Sequence, residues 1–181
     1  MTNVRDKRTI PMDRIDTGLD ITAGNIRRLI QDHYALMRDG SDWHAVALAI
    51  FALEELAKYY VLKHGKDDAI RNRMTSVEVE ELLFGRGRNS HKRKLDIARK
   101  ERLIPPDMWT IYTARYGPAA YGSAHYDTED VTVTAALRTQ NIFVDWKDGE
   151  WVHGTVLEVA RIKNFADSII QSLDQLEGKS S

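Results

Sequence analysis

Residues 45–53 read Ala-Val-Ala-Leu-Ala-Ile-Phe-Ala-Leu, an apolar run with no polar interruption. It lies inside a longer helical stretch that opens at Ser41 and reaches about His64, with Gly65 behind it as a stop. A helix that is apolar all round has to be enclosed by other elements. Ala45, Ala47, Ala49, Ala52 and Ala57 along it predict close approach by those neighbours. The run is far short of the roughly 20 residues a membrane span requires. A chain of 181 residues is long enough to enclose such a helix in a single domain. The expectation is therefore the buried centre of a helical bundle.

The remaining elements arrange themselves around it. A first helix is expected over 16–39, capped by Asp16 or Thr17, with Ile21, Leu29, Ile30, Tyr34 and Met37 at roughly helical spacing and Asp39-Gly40 as its stop. Residues 66–75 read as a loop, and Ser76 to Phe84 as a short segment. Asn89 or Ser90 can cap a third helix through about Leu103, stopped by Pro105-Pro106. Asp107 to Arg115 reads as a further helical stretch. Asp130 to Gln140 is ambiguous between strand and helix. Ile142–Asp145 and Glu150–His153, joined through Lys147-Asp148-Gly149, give a hairpin signal. Val156, Val159, Ile162, Phe165, Ile169 and Leu173 mark a last amphipathic helix over Thr155–Leu176. The fold class is all-α: four to five main helices with a small insertion, roughly 117–153, before the last one. The domain runs over 16–176, between an irregular lead-in of residues 1–15 and a tail of 177–181.

Composition narrows the function. Lys+Arg is 26 against 27 Asp+Glu, which excludes a globally basic nucleic-acid binder but leaves room for a local basic patch. A hydrophobic fraction of 43% excludes intrinsic disorder. The absence of cysteine excludes disulfides, thiolate zinc sites and cysteine nucleophiles. Met1 to Arg14 is polar, with no signal-peptide core, so the expected location is cytoplasmic and no membrane partner is expected. No cofactor motif stands out: Gly85-x-Gly87 follows no strand and lacks a third glycine, and the histidines lack metal-ligand spacing.

Two places carry polar residues of chemical interest. The apolar run ends in Glu54-Glu55, with Lys58 one turn on. Glu54 and Lys58 form a favourable i,i+4 pair. Glu55 shares a face with Leu48, Phe51, Tyr59 and Leu62, and a carboxylate there needs a cationic partner. The second place is residues 86–102, which hold eight Lys/Arg against only Asp96 and Glu101. On a helix, His91, Lys94, Leu95 and Ala98 share one face. Leu95 and Ala98 turn to the core, so His91 points to its edge while Arg93 and Lys100 are solvated. Arginines of a glycine-containing loop beside an imidazole suit a phosphate group. A metal-free ribonuclease needs little more: a group to take the ribose 2′-hydroxyl proton, one to protonate the leaving oxygen, and a cation for the phosphorane. His91 fits either proton role, and Arg86 or Arg88 fits the cation. The other reading of the same residues is a solvated basic face. Tyr112, Tyr116, Tyr121, Tyr126 and Trp109 read as packing around a loop.

Three blocks resemble the AbiV family of abortive infection proteins: Ala49–Lys58, an apolar run closed by Glu-Glu-Leu-Ala-Lys; His91-Lys-Arg-Lys-Leu95; and Arg138–Asp145, followed by Gly149 and Trp151. They fall in the family's order. Ala57 stands where the family commonly has Gly. The resemblance implies a bacterial anti-phage protein related to the HEPN class of helical bundles. Many of those are ribonucleases with an Arg-x(4–6)-His motif, their active site lying at a homodimer interface. Arg86-x4-His91 has that spacing, whereas Arg88 is too close. Carried over in this way, Arg86 and His91 fill the HEPN motif, and Glu54, Glu55, Lys58, Lys94, Arg138 and Asp145 belong to the AbiV blocks.

The expectation drawn from all this is an abortive-infection effector, a metal-independent endoribonuclease without cofactor. His91 and Arg86 do the chemistry, Glu55 orients His91 or Lys94, and Arg88, Lys92 and Lys94 contact RNA. Glu54, Lys58, Arg138 and Asp145 form a supporting polar network. A homodimer, RNA as substrate and a phage protein as trigger are the expected partners. The alternative is a non-catalytic interaction protein that binds a phage protein or the translation machinery, with the polar residues structural. A metal enzyme using Glu54 or Glu55 with His91 has too few ligands in sight.

Overall fold

The computed structural model describes residues 7–85, 88–115, 127–132, 145–147, 150–152, 156–157 and 159–179. It is mostly helical, as the patterning predicts. Helix α1 spans Met12–Arg38, α2 Asp42–Arg71, α3 Arg88–Lys100 and α4 Val159–Leu176. Helix α2 is the hub, packed against α1, α3 and α4. Ala45, Val46, Ala49, Ile50, Ala52, Leu53, Leu56 and Ala57 along it are fully buried. Its alanines let three helices approach one axis. Among the described residues, no helix is long and apolar enough to cross a membrane.

Several boundaries differ from expectation, each for an identifiable reason. The lead-in is not irregular: Lys7–Pro11 is a strand, β1, antiparallel to β2 at Ser76–Glu80, with Thr9 opposite Glu78. Helix α1 follows β1 directly and so starts at Met12, earlier than Asp16. Its buried stripe is Ile15, Leu19, Ala23, Ile26 and Ile30, while Ile21 is 68% exposed. Helix α2 does not stop at Gly65 but continues to Arg71. Gly65 serves packing instead, since a Cβ there would lie 2.5 Å from Val77 Cγ1 of β2.

Each of the four described helices ends in a Schellman motif, with a 6→1 and a 5→2 backbone bond. For α2 these are Met74 N–H to Ala69 O at 2.8 Å and Arg73 N–H to Ile70 O at 3.2 Å. Gly40 and Gly178 take the left-handed position after α1 and α4. Arg73 and Arg102 take it after α2 and α3, with φ of 55° and 52°. Those two helix ends carry no glycine, which is why the sequence placed one too early and the other at the prolines.

The segment 107–115 is not α-helical. Pro106–Trp109 is a 3₁₀ turn and Thr110–Arg115 is a strand, β3. Strand β4, Asp127–Thr132, and strand β7, Val156–Leu157, flank β3 in an antiparallel sheet. Between them in sequence, β5 (Asp145–Lys147) and β6 (Glu150–Val152) pair with Trp146 opposite Trp151. This is the hairpin that the Asp-Gly dipeptide signals. The ambiguous stretch is strand through Thr132; 133–140, and Tyr116, Tyr121 and Tyr126, lie outside the described residues. Trp109 is buried, as packing required.

Two mid-helix glycines make a paired test. Gly65→Ala forces a methyl group into Val77 and should destabilise the protein by about 1–3 kcal/mol. Gly24→Ala, in α1 with nothing within 4 Å of the added carbon, should stabilise it by up to about 1 kcal/mol through helix propensity. Chemical denaturation of both variants checks the opposite signs.

Candidate functional site

The site is built where α3 leans on the middle of α2. Glu54 sits directly after the apolar run, and only 2% of it is exposed. Its helical neighbours at i−4 and i+3 are Ile50 and Ala57, both fully buried. A carboxylate in that position must be met by a donor. His91 meets it: the ring Nδ1 donates to Glu54 Oε2 at 2.5 Å. His91 stays 12% exposed at the edge of the bundle. With Nδ1–H directed at the carboxylate, the neutral ring carries its lone pair on Nε2. The Phe51 ring stands edge-on to His91, with centroids 6.4 Å apart.

The beginning of α3 is held by a set of clamps. The single Ser90 hydroxyl hydrogen is shared between the carbonyls of Leu82 and, at 2.7 Å, Gly85, so the side chain acts inside the first turn instead of capping it. Arg93 forks onto Glu80 at the end of β2, at 2.6 and 2.8 Å. Arg8 of β1 forks onto Glu81 and lies 4.8 Å over the Phe84 ring. Charged fork-to-fork contacts carry geometry as well as energy. Together they tie the strand pair, the 3₁₀ turn at Glu81–Leu83 and α3 into one support for the His91 backbone.

The expected assignments change in four respects. Glu54, not Glu55, faces His91. Glu55 pairs with Lys58 at 2.6 Å, so the expected Glu54–Lys58 pair is replaced by an i,i+3 contact at the rim. Glu55 lies there because its i−4 neighbour, Phe51, is 36% exposed. Lys94 is not a solvent-facing phosphate ligand: it is 5% exposed, with Nζ 3.5 Å from the Gly85 carbonyl. Arg93 is not solvated but held by Glu80. Lys92 is exposed and paired with Asp96 at 2.7 Å. Leu95 and Ala98 are buried, as their spacing predicts. Arg86 and Arg138 lie outside the described residues. Arg88 opens α3 and Asp145 opens β5, but the structure describes the side chain of neither. Among the described residues, no three His, Asp or Glu side chains converge as a metal would need.

The family model described as AbiV, HEPN_AbiV, matches residues 14–173, and the chain belongs to that family. Neither the curated proteins nor the solved structures give a match.

A second buried histidine stands apart from the site. His33 of α1 donates from Nδ1 to the Ala45 carbonyl at 2.8 Å, and its Nε2 is buried without a hydrogen-bond partner among the described residues. Burial holds its pKa below the ordinary histidine value of 6.5; the Ala45 carbonyl and the carboxylates of Asp167 and Asp42 act the other way. Its neutral form is therefore the one the fold accepts. The unfolded chain gains the proton first as pH falls, so this contribution to stability is full above about pH 6.5 and declines below it. The melting temperature should drop as pH falls below about 6.5, and His33→Gln should flatten that slope.

Proposed function

We propose that this protein is an abortive-infection effector of the cytoplasm that cleaves RNA without a metal, as a homodimer, when phage infection triggers it. The observation that carries this reading is the Glu54–His91 pair: a sealed carboxylate orienting an imidazole that keeps 12% of its surface exposed at the edge of the bundle. In the reaction, Nε2 of neutral His91 takes the proton of a ribose 2′-hydroxyl. The 2′-oxygen attacks the adjacent phosphorus, and the 5′-oxygen leaves with a proton taken from water, the His91 proton returning to solvent afterwards. The products carry a 2′,3′-cyclic phosphate and a 5′-hydroxyl. Glu54 fixes the tautomer and stabilises the imidazolium as it forms, as a positioning residue. Arg86, separated from His91 by four residues, is assigned to the phosphorane charge on motif spacing. Membership of the AbiV family supports the defence role.

The test is cleavage of total RNA by purified protein in excess chelator, beside a phage-plaquing assay. Wild type should cleave and protect. His91→Ala should lose about 10²–10⁴-fold in rate, which is the ordinary weight of a general acid–base group. Glu54→Gln, which keeps shape and a hydrogen-bonding side chain, should lose less and shift the pH–rate profile. Absence of cleavage by wild type, or equal protection by His91→Ala, defeats the ribonuclease reading. Loss of protection with no RNA cleavage at all would favour a role in binding a phage or translation protein.

A further inference from the structure

The basic character of α3 is less general than its sequence suggests. Lys92 is paired with Asp96, Lys100 with Glu101 at 3.1 Å and Arg93 with Glu80, and Lys94 is buried. Arg99 is different. It is exposed, and among the described residues no carboxylate pairs with it. Its guanidinium lies 4.7 Å over the Trp109 ring, and Trp109 is 7% exposed beneath it. A guanidinium resting on an indole face is positioned before any ligand arrives, and the ring takes up none of its N–H donors as a carboxylate would. Arg102, also exposed and without a carboxylate among the described residues, follows at the left-handed turn that ends α3.

We infer that Arg99, seated on Trp109, is a phosphate subsite for the RNA strand, remote from the bond that is cut. The inference rests on the ribonuclease reading and extends it: the substrate is a single strand long enough to reach from His91 to Arg99. The two residues are eight apart on α3, about 12 Å along the helix axis at 1.5 Å per residue. Lys92 and Arg99, seven apart, share the outer face of α3, so the strand follows that face after leaving His91. A guanidinium fork suits a phosphodiester, and its contribution is independent of base sequence.

Arg99→Gln tests this, since glutamine keeps much of the stem over Trp109 and removes the charge. Its melting curve is recorded beside the wild type to establish that the fold survives. On an unstructured RNA of about 12 nucleotides, Arg99→Gln should raise KM by about tenfold and leave kcat nearly intact. In the His91→Ala background, which binds without cutting, the same change should reduce the salt dependence of RNA binding by about one phosphate contact. The loss should shrink on a dinucleotide, which is too short to span the distance. If wild type cleaves the long RNA and Arg99→Gln matches it in KM and salt slope, the subsite is refuted while the ribonuclease reading stands. If wild type neither binds nor cleaves RNA, both fall together.

Discussion

A carboxylate sealed into the central helix of a bundle sets the terms for everything packed against it. Glu54 cannot be left without a donor, because an unanswered buried charge would cost several kcal/mol. His91 satisfies it from a different helix, across a gap of 2.5 Å, so α3 must sit at one height and one rotation on α2. Leu95 and Ala98 complete that docking with apolar contacts farther along α3. The pair thus fixes the packing of α3 and directs the imidazole at once. A residue that a purely structural reading would treat as a burden on stability becomes the reason that a largely buried histidine is held in one defined orientation at the edge of the bundle.

The support for this arrangement comes from a short segment. Between β2 and α3, Leu83 is buried in the core, and polar contacts add to it: Arg93 on Glu80, Arg8 on Glu81 and over Phe84, and Ser90 against two carbonyls. Exposed ion pairs contribute little individually. Here they converge from several elements on one short stretch of chain, and two of them are forked, so their combined effect is positional. Val77 against Gly65 adds the packing that seats β2 on α2. The N-terminal strand β1 belongs to this support as the source of Arg8 and as the partner of β2.

Much of the bundle was legible because burial imposes periodicity. The run 45–53 announced a central helix, and the stripe from Ile162 to Leu173 announced the last one. What escaped was decided by contacts between distant segments. Nothing near Lys7–Pro11 specifies a strand until Ser76–Glu80 lies beside it. Gly65 reads as a helix end in isolation and as a packing requirement once Val77 is in place. Arg73 and Arg102 terminate helices in a conformation that favours glycine, so no residue type marked the stop. Within the site, His91 was legible from its place beside Leu95. The choice between Glu54 and Glu55 was not, because adjacent residues on a helix differ by 100° and both follow the same apolar run. Ile50 and Ala57, at i−4 and i+3 from Glu54, held the signal; the exposure of Phe51, at i−4 from Glu55, was known only from the fold.

The same distinction governs charge. Counting residues along 86–102 suggests a uniformly basic face, but charge acts on a ligand only where it is not already neutralised nearby. Asp96 and Glu101 cancel neighbours on α3 itself, and Glu80 reaches across from β2 to cancel another. At physiological ionic strength, what remains is felt over about 8 Å. A ligand therefore meets discrete cations and no smooth basic surface. Arg99, held on Trp109, is one whose position follows from packing in the core, since the indole beneath it is itself buried. Residue counts set the potential a chain can have; the pairing pattern of the fold decides where on the surface it is expressed.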